Sequence, residues 1–125
     1  MSKEFIPYEE ALALKKLGFD EECCAWYFLI DGMENVLQKY ADGNWNDDQF
    51  KQCSAPLYQQ AFRWFRETYE HIATSDFNRS LGYKFEIDLH GGDSSCCTQW
   101  YATYEETELA CLRKLIEIVN QNKDE

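Results

Sequence analysis

Apolar side chains in the middle of the chain recur at helical spacing. Tyr58, Ala61, Phe62, Phe65, Tyr69 and Ile72 fall at i, i+3, i+4, i+7, i+11 and i+14 and line one face of a helix. Pro56 suits the first turn of that helix and Ser54 its N-cap. Leu57 and Trp64 flank the stripe, so they either widen the core face or belong to an interface. An earlier helix starts near Pro7, runs through Ala11, Leu14 and Leu17, and ends where Gly18 takes the left-handed cap with Phe19 packing back. A last helix opens on the capping-box spacing of Thr103 and Glu106. It carries an apolar stripe of Leu109, Leu112, Leu115, Ile116 and Val119, and stops before a polar tail, residues 120–125.

Other stretches follow the two-residue period of strands. Tyr83, Phe85, Ile87 and Leu89 alternate strictly with Lys84, Glu86, Asp88 and His90, the pattern of a half-buried antiparallel strand. The loop Gly91–Ser95 then returns the chain as Cys96–Ala102, making a hairpin. Cys23–Ile30 is a continuous apolar run ending at Asp31-Gly32, which predicts a buried central strand and a turn. Met33–Tyr40 reads either as the return strand or as a short helical piece. Residues 41–55 read as an ordered loop, because Trp45 and Phe50 are not linker residues. The order α-β-(β)-α-β-β-α predicts an α+β fold in one domain, 1–125, with an antiparallel sheet of about three to four strands and three helices mainly on one face.

The length of 125 residues and an apolar content of 45% are enough for one ordinary core. No apolar run approaches the roughly 20 residues of a membrane helix, and Met1–Phe5 has no apolar signal core, so a cytoplasmic protein without membrane contact is expected. In that reducing compartment the six cysteines default to free thiols. The pairs Cys23-Cys24 and Cys96-Cys97, with Cys53, Cys111 and His90, are the soft ligands a zinc site would draw on. Adjacent strand residues point to opposite faces, however, so each pair offers one ligand and no metal or cofactor is expected. For catalysis, the Glu67–His71 spacing is an ordinary surface pair on a helix, and His90 with Asp88 lies on the solvent side of an alternating strand. No nucleophile elbow, zinc-protease helix, P-loop or dinucleotide-binding glycine pattern accompanies them, so no catalytic residue is assigned.

Charge changes the picture most. Twenty-three carboxylates against twelve Lys and Arg leave a net charge of −11, which repels nucleic acid phosphates and disfavours direct binding to them. The imbalance is strongest toward the N-terminus, where Glu9, Glu10, Asp20, Glu21, Glu22, Asp31, Glu34, Asp42, Asp47 and Asp48 face Lys3, Lys15, Lys16 and Lys39. The residues selected for partner binding are Asp20, Glu21, Glu22, Asp47 and Asp48 with Trp45 and Trp64. The plainer reading of the same carboxylates is a solvated surface that keeps a small protein soluble.

The segments Ala55–Glu67 and Tyr101–Glu117, with the opening Phe5-Ile6-Pro7-Tyr8-Glu9, resemble small accessory proteins of bacteriophages and prophages, a group without an assigned biochemical activity. The resemblance spans most of the chain and departs from Asn35 to Cys53. It implies a genomic context and transfers no catalytic residue. With the charge, it leads to the expectation of a non-enzymatic accessory protein that binds a host protein with a basic surface in the host cytoplasm, as an acidic inhibitor of a defence nuclease or nucleic-acid-binding protein. Two alternatives stand beside it: a homo-oligomeric interaction module forming a homodimer through exposed edge strands and Trp45 or Trp64, and a small metal protein or enzyme using the Cys and His residues.

Overall fold

The computed structural model describes residues 5–28, 36–43, 53–89, 95–97 and 99–123. The chain has the expected α+β architecture with antiparallel pairing throughout, and its strands are divided between two three-stranded sheets instead of forming one. Contacts group the residues into two compact units, Met1–Tyr58 and Gln59–Glu125.

In the first unit, α1 (Tyr8–Leu17) begins after Pro7, whose φ of −65° and ψ of 161° place it just outside the helix. Gly18 ends it at φ 102°, where the Gly18 amide bonds the Lys15 carbonyl and the Phe19 amide bonds that of Leu14, while the Phe19 ring is buried. That is the predicted glycine cap, closed by a Schellman pair of hydrogen bonds. The apolar run forms β1 (Cys23–Phe28), which is the central strand as expected, flanked by β2 (Val36–Gly43) and β3 (Cys53–Ser54). Of the two readings for Met33–Tyr40, the strand is the one adopted from Val36 onward; the turn at Asp31-Gly32 lies outside the described residues. Tyr27 fastens the sheet to the N-terminal segment: its hydroxyl donates to the Ile6 carbonyl at 2.8 Å and its ring meets Tyr8 edge-on.

The segment expected to lead into the aromatic helix does other work. Ser54 pairs with Trp26 in β3 and is not an N-cap, the Ala55 amide bonds the Ala25 carbonyl, the Pro56 carbonyl accepts from Ile6, and Leu57 bridges to Phe5. Strand pairing thus holds the backbone groups that an earlier helix start would have required, and α2 begins two residues after Pro56, spanning Tyr58–Tyr69. Its stripe Tyr58, Ala61, Phe62 and Phe65 is buried as predicted, and Tyr69 is half-buried.

Beyond Tyr69 the chain departs from the periodic pattern. Glu70 adopts φ 60°, which turns the backbone out of the helix, so Ile72 is not the last residue of the stripe. It opens β4 (Ile72–Asn78) and is 43% exposed. This strand has no counterpart in the sequence reading: Ile72, Thr74, Asp76 and Asn78 share one face and Ala73, Ser75 and Phe77 the other, so neither face is uniformly apolar. The Asn78 carboxamide oxygen accepts from the Ser80 and Leu81 amides, shaping the turn into β5 (Gly82–Asp88). β5 shows the predicted alternation, with Phe85 and Ile87 buried and Asp88 exposed, and it is the centre of the order β4-β5-β6, where β6 is Ser95–Cys97. The predicted return of the hairpin is antiparallel as expected; His90 and residues 91–94 lie outside the described residues.

The last helix, α3 (Tyr104–Lys123), starts at the predicted cap. The Glu106 amide donates to Thr103 Oγ1 at 3.2 Å, and that hydroxyl donates to the Glu106 carboxylate at 3.0 Å. Its end differs from expectation, because no Gly or Pro interrupts Asn120–Lys123 and the helix continues through them, with Gln121 Nε2 donating to Glu117 Oε1 on the solvent side. Its buried face is also rotated: Thr107, Glu108, Cys111, Leu112, Leu115, Ile118 and Val119 point inward, while Leu109 and Ile116 sit at the margin. Within this unit α2 and α3 cover the same face of the sheet, since Phe62 and Tyr104 both meet the Phe85 ring.

Candidate functional site

The second unit contains a cleft of about 340 Å³ bounded by α2, β4, β5 and the start of α3. Beneath it Phe62 and Phe85 pack together as buried rings, centroids 5.5 Å apart and tilted by 44°, and Tyr104 lies 5.7 Å from Phe85. The pairing of Ser75 with Phe85 and of Ala73 with Ile87 puts Ala73 and Ser75 on the cleft side of β4. Gln59 and Ser75 are both hydrogen-bonded to the Tyr104 hydroxyl, so one network ties helix, strand and helix together at this wall.

Arg63 and Arg66 complete the lining from one side of α2. Their i, i+3 spacing puts both guanidinium groups over the same opening. Arg63 Nε lies 3.7 Å from Glu67 Oε1, an ion pair in which both side chains are more than half exposed, and such a pair holds its members loosely. The cleft is therefore lined mainly by polar groups, with two cations at its side and two largely buried aromatic rings beneath it, in a chain that is otherwise strongly acidic.

Behind it sits a cluster of weakly acidic groups. Burial raises the Glu108 carboxyl from 4.5 to about 7, and the charge of Glu105 adds to the rise. Burial pushes the Cys111 thiol up to about 12, with the Glu108 charge acting in the same direction. Tyr104 is also raised, first by burial and then by Glu108, against the opposing effect of its bonds to Gln59 and Ser75. In the first unit burial raises Cys53 to about 11, only partly offset by Lys15. These thiols are protonated at neutral pH and poor nucleophiles or metal ligands.

Of the partner-binding residues selected from sequence, Asp20, Glu21, Glu22 and Trp64 lie among the described residues. Asp20 and Glu22 are exposed and Glu21 is half-buried on the connection from α1 to β1. Trp64 is 6% exposed and packs edge-on against Phe65 and Tyr69, at 5.1 and 5.5 Å, so of its two readings the structure supports the wider core face. Trp45, Asp47 and Asp48 lie outside the described residues, as does His90. His71 is no surface partner of Glu67 on a helix: after the turn at Glu70 it is 6% exposed and stacked on Tyr69. Cys23, Cys24, Cys53 and Cys111 are free thiols, and no group of three His, Cys, Asp or Glu able to hold a metal occurs among the described residues.

Sequence reasoning missed the cleft, although part of its signal was present. Arg63 and Arg66 flank the apolar stripe at helical spacing, but the covering wall comes from β4, which the pattern does not reveal. Among the described residues no helix is long and apolar enough to cross a membrane. No family model, curated protein or solved structure matches the chain.

Proposed function

We propose that this protein is a non-enzymatic accessory protein of phage type, acting in the host cytoplasm by binding a host protein with a basic surface. The mode of action that follows is masking: carboxylates occupy cationic sites that a defence nuclease or nucleic-acid-binding protein uses for phosphates. The observation that carries this reading is the acidic connection Asp20-Glu21-Glu22, with Asp20 and Glu22 exposed and Glu21 half-buried, on a chain of net charge −11. The Schellman turn at Gly18 and the start of β1 at Cys23 hold that connection at both ends, so its carboxylates are presented on a defined backbone. The test is capture of host proteins by the tagged chain at moderate and at high salt, followed by binding kinetics of the purified partner with the D20K/E21K/E22K variant. A dominant partner lost at high salt and an association rate at least about tenfold slower for the variant are expected. Unchanged binding by the variant would reject the acidic connection as the contact.

A second reading, homodimerisation, is favoured by β4. It is an edge strand among the described residues, nearly all of it is exposed, and its own Phe77 is 56% exposed. Antiparallel pairing with a second copy centred on Ser75 sets Ile72 against Asn78, Ala73 against Phe77 and Thr74 against Asp76, so no like charges meet. A molecular mass that doubles with concentration in sedimentation velocity would favour this module; a constant monomer mass would remove it.

A further inference from the structure

We infer that a second copy of this chain pairs with the free edge of β4 about a two-fold axis through Ser75, and that Phe77 of each copy then seats at the mouth of the other's cleft, beside Ala73. The inference rests on the homodimer reading of β4 and adds the residue that each copy gives to the other's cleft. Backbone direction decides which groups are free to pair. Tyr83 uses its amide and its carbonyl on Tyr101, on the far side of β5, so its pair with Phe77 across the hairpin is a non-hydrogen-bonded one. The Phe77 amide and carbonyl therefore face away from β5, and the two-residue alternation turns those of Ser75 and Ala73 the same way. Among the described residues no strand lies beyond β4 to meet them. The Phe77 amide reaches Asp76 Oδ1 at 2.9 Å, an exposed contact between chain neighbours that a carbonyl of the incoming strand replaces.

Register then selects Ser75 as the centre. Outward groups must oppose outward groups, which admits a two-fold through Thr74, Ser75 or Asp76 and rejects a shift that pairs an outward residue with an inward one. A centre at Asp76 sets that carboxylate against its own copy, and a centre at Thr74 leaves Phe77 opposite His71, which precedes the strand. Through Ser75 all of Ile72–Asn78 is paired: Ser75 exchanges both backbone hydrogen bonds with its counterpart, and Ala73 exchanges its own with the partner's Phe77. Ala73, Ser75 and Phe77 share one face of the sheet, opposite Ile87, Phe85 and Tyr83. On that face Ala73 and Ser75 line the cleft of about 340 Å³ under α2, whereas Phe77 stands past it, 56% exposed with its ring 4.9 Å from Tyr83. The same two-fold thus brings the exposed ring of one copy alongside Ala73 at the other's cleft, once at each end of the interface, as an isologous contact requires. Asp76 stays on the opposite face beside Thr74, so no carboxylate of β4 enters the cleft. Two chains of net charge −11 repel at long range, and screening by salt therefore strengthens this association.

The test joins sedimentation velocity of the full chain over a range of concentrations with isotope-filtered NOE spectra of mixed labelled and unlabelled chains. A reversible dimer that tightens between about 10 and about 150 mM salt is expected, with intermolecular NOEs from the Phe77 ring to the Ala73 methyl. The F77S variant should weaken that dimer at least about tenfold while its monomer keeps the native amide spectrum. A dimer without those NOEs, or an F77S dimer as tight as the native one, would overturn the seating of Phe77 in the cleft and leave the homodimer reading standing. A constant monomer mass would overturn both and leave the edge of β4 to a different protein. The NOEs are read on the native chain, so they decide the seating even where F77S fails to fold.

Discussion

Glu108 departs from the ordinary behaviour of a glutamate. It occupies a core position of α3 at 8% exposure, and its carboxyl titrates near 7 where 4.5 is ordinary. A raised carboxyl favours the folded state while protonated, so between pH 4.5 and 7 the folded chain holds a proton the unfolded chain has lost. Stability from this group therefore falls as pH rises through that window and levels off above it. With solvent screening, E108Q is expected to gain about 1–2 kcal/mol over the native chain at pH 8 and almost nothing at pH 4, measured by urea unfolding at both values. Thiol chemistry follows the same physics. Cys53 and Cys111, buried and shifted to about 11 and about 12, should resist iodoacetamide in the folded protein at pH 8, whereas half-buried Cys24 reacts ahead of them; peptide mass spectrometry before and after denaturation reads the order. None of this is visible in sequence, because a glutamate at position 108 looks like surface until the helix face that contains it is known to point inward.

At the scale of elements, the hairpin from β4 to β5 depends on Gly82. Its φ of 100° is a left-handed conformation, and a Cβ there would collide with the Tyr101 carbonyl. Tyr83 and Tyr101 exchange both backbone hydrogen bonds at 2.8 Å, and the Tyr83 carbonyl also accepts from Thr107 Oγ1 at 3.3 Å, so the neighbouring backbone has little room to retreat. G82A is expected to destabilise the protein by more than the roughly 1–3 kcal/mol of backbone strain alone, checked by the urea midpoint. In α2, replacement of Trp64 removes ring contacts to Phe65 and Tyr69 from a buried site, so W64A should cost about 3–5 kcal/mol and act on stability before any surface recognition. The helices and β5 were legible because each carries a period set by its own side chains: α2 by its aromatic stripe, α3 by its cap, β5 by strict alternation. β4 was not legible, since Ile72-Ala73-Thr74-Ser75-Asp76-Phe77-Asn78 is exposed on most positions and owes its strand form to pairing with β5. Ser54 misled for a related reason, as a good cap residue that a strand pair had already taken.

For the whole molecule, a net charge of −11 at pH 7 stores self-repulsion that the compact state feels more than the unfolded chain. Raising salt from about 10 to about 150 mM shortens the screening length from roughly 30 to roughly 8 Å, and the melting temperature should rise by several degrees; a fall would show that attractive surface pairs dominate. Fold class, the strong helices, the glycine cap at Gly18, the central strand β1 and the acidic balance were all determined by the sequence alone, because they depend on neighbours within a few residues or on composition. Tertiary structure decided the division of strands between two sheets, the edge strand β4, the inward rotation of α3 that buries Glu108 and Cys111, and the burial of Trp64. It also decided the cleft between α2 and β4. Arg63 and Arg66 share a helix, but Ser75, Phe85 and Tyr104 arrive from three other elements, and a cleft made by long-range packing leaves no periodic trace in any of them.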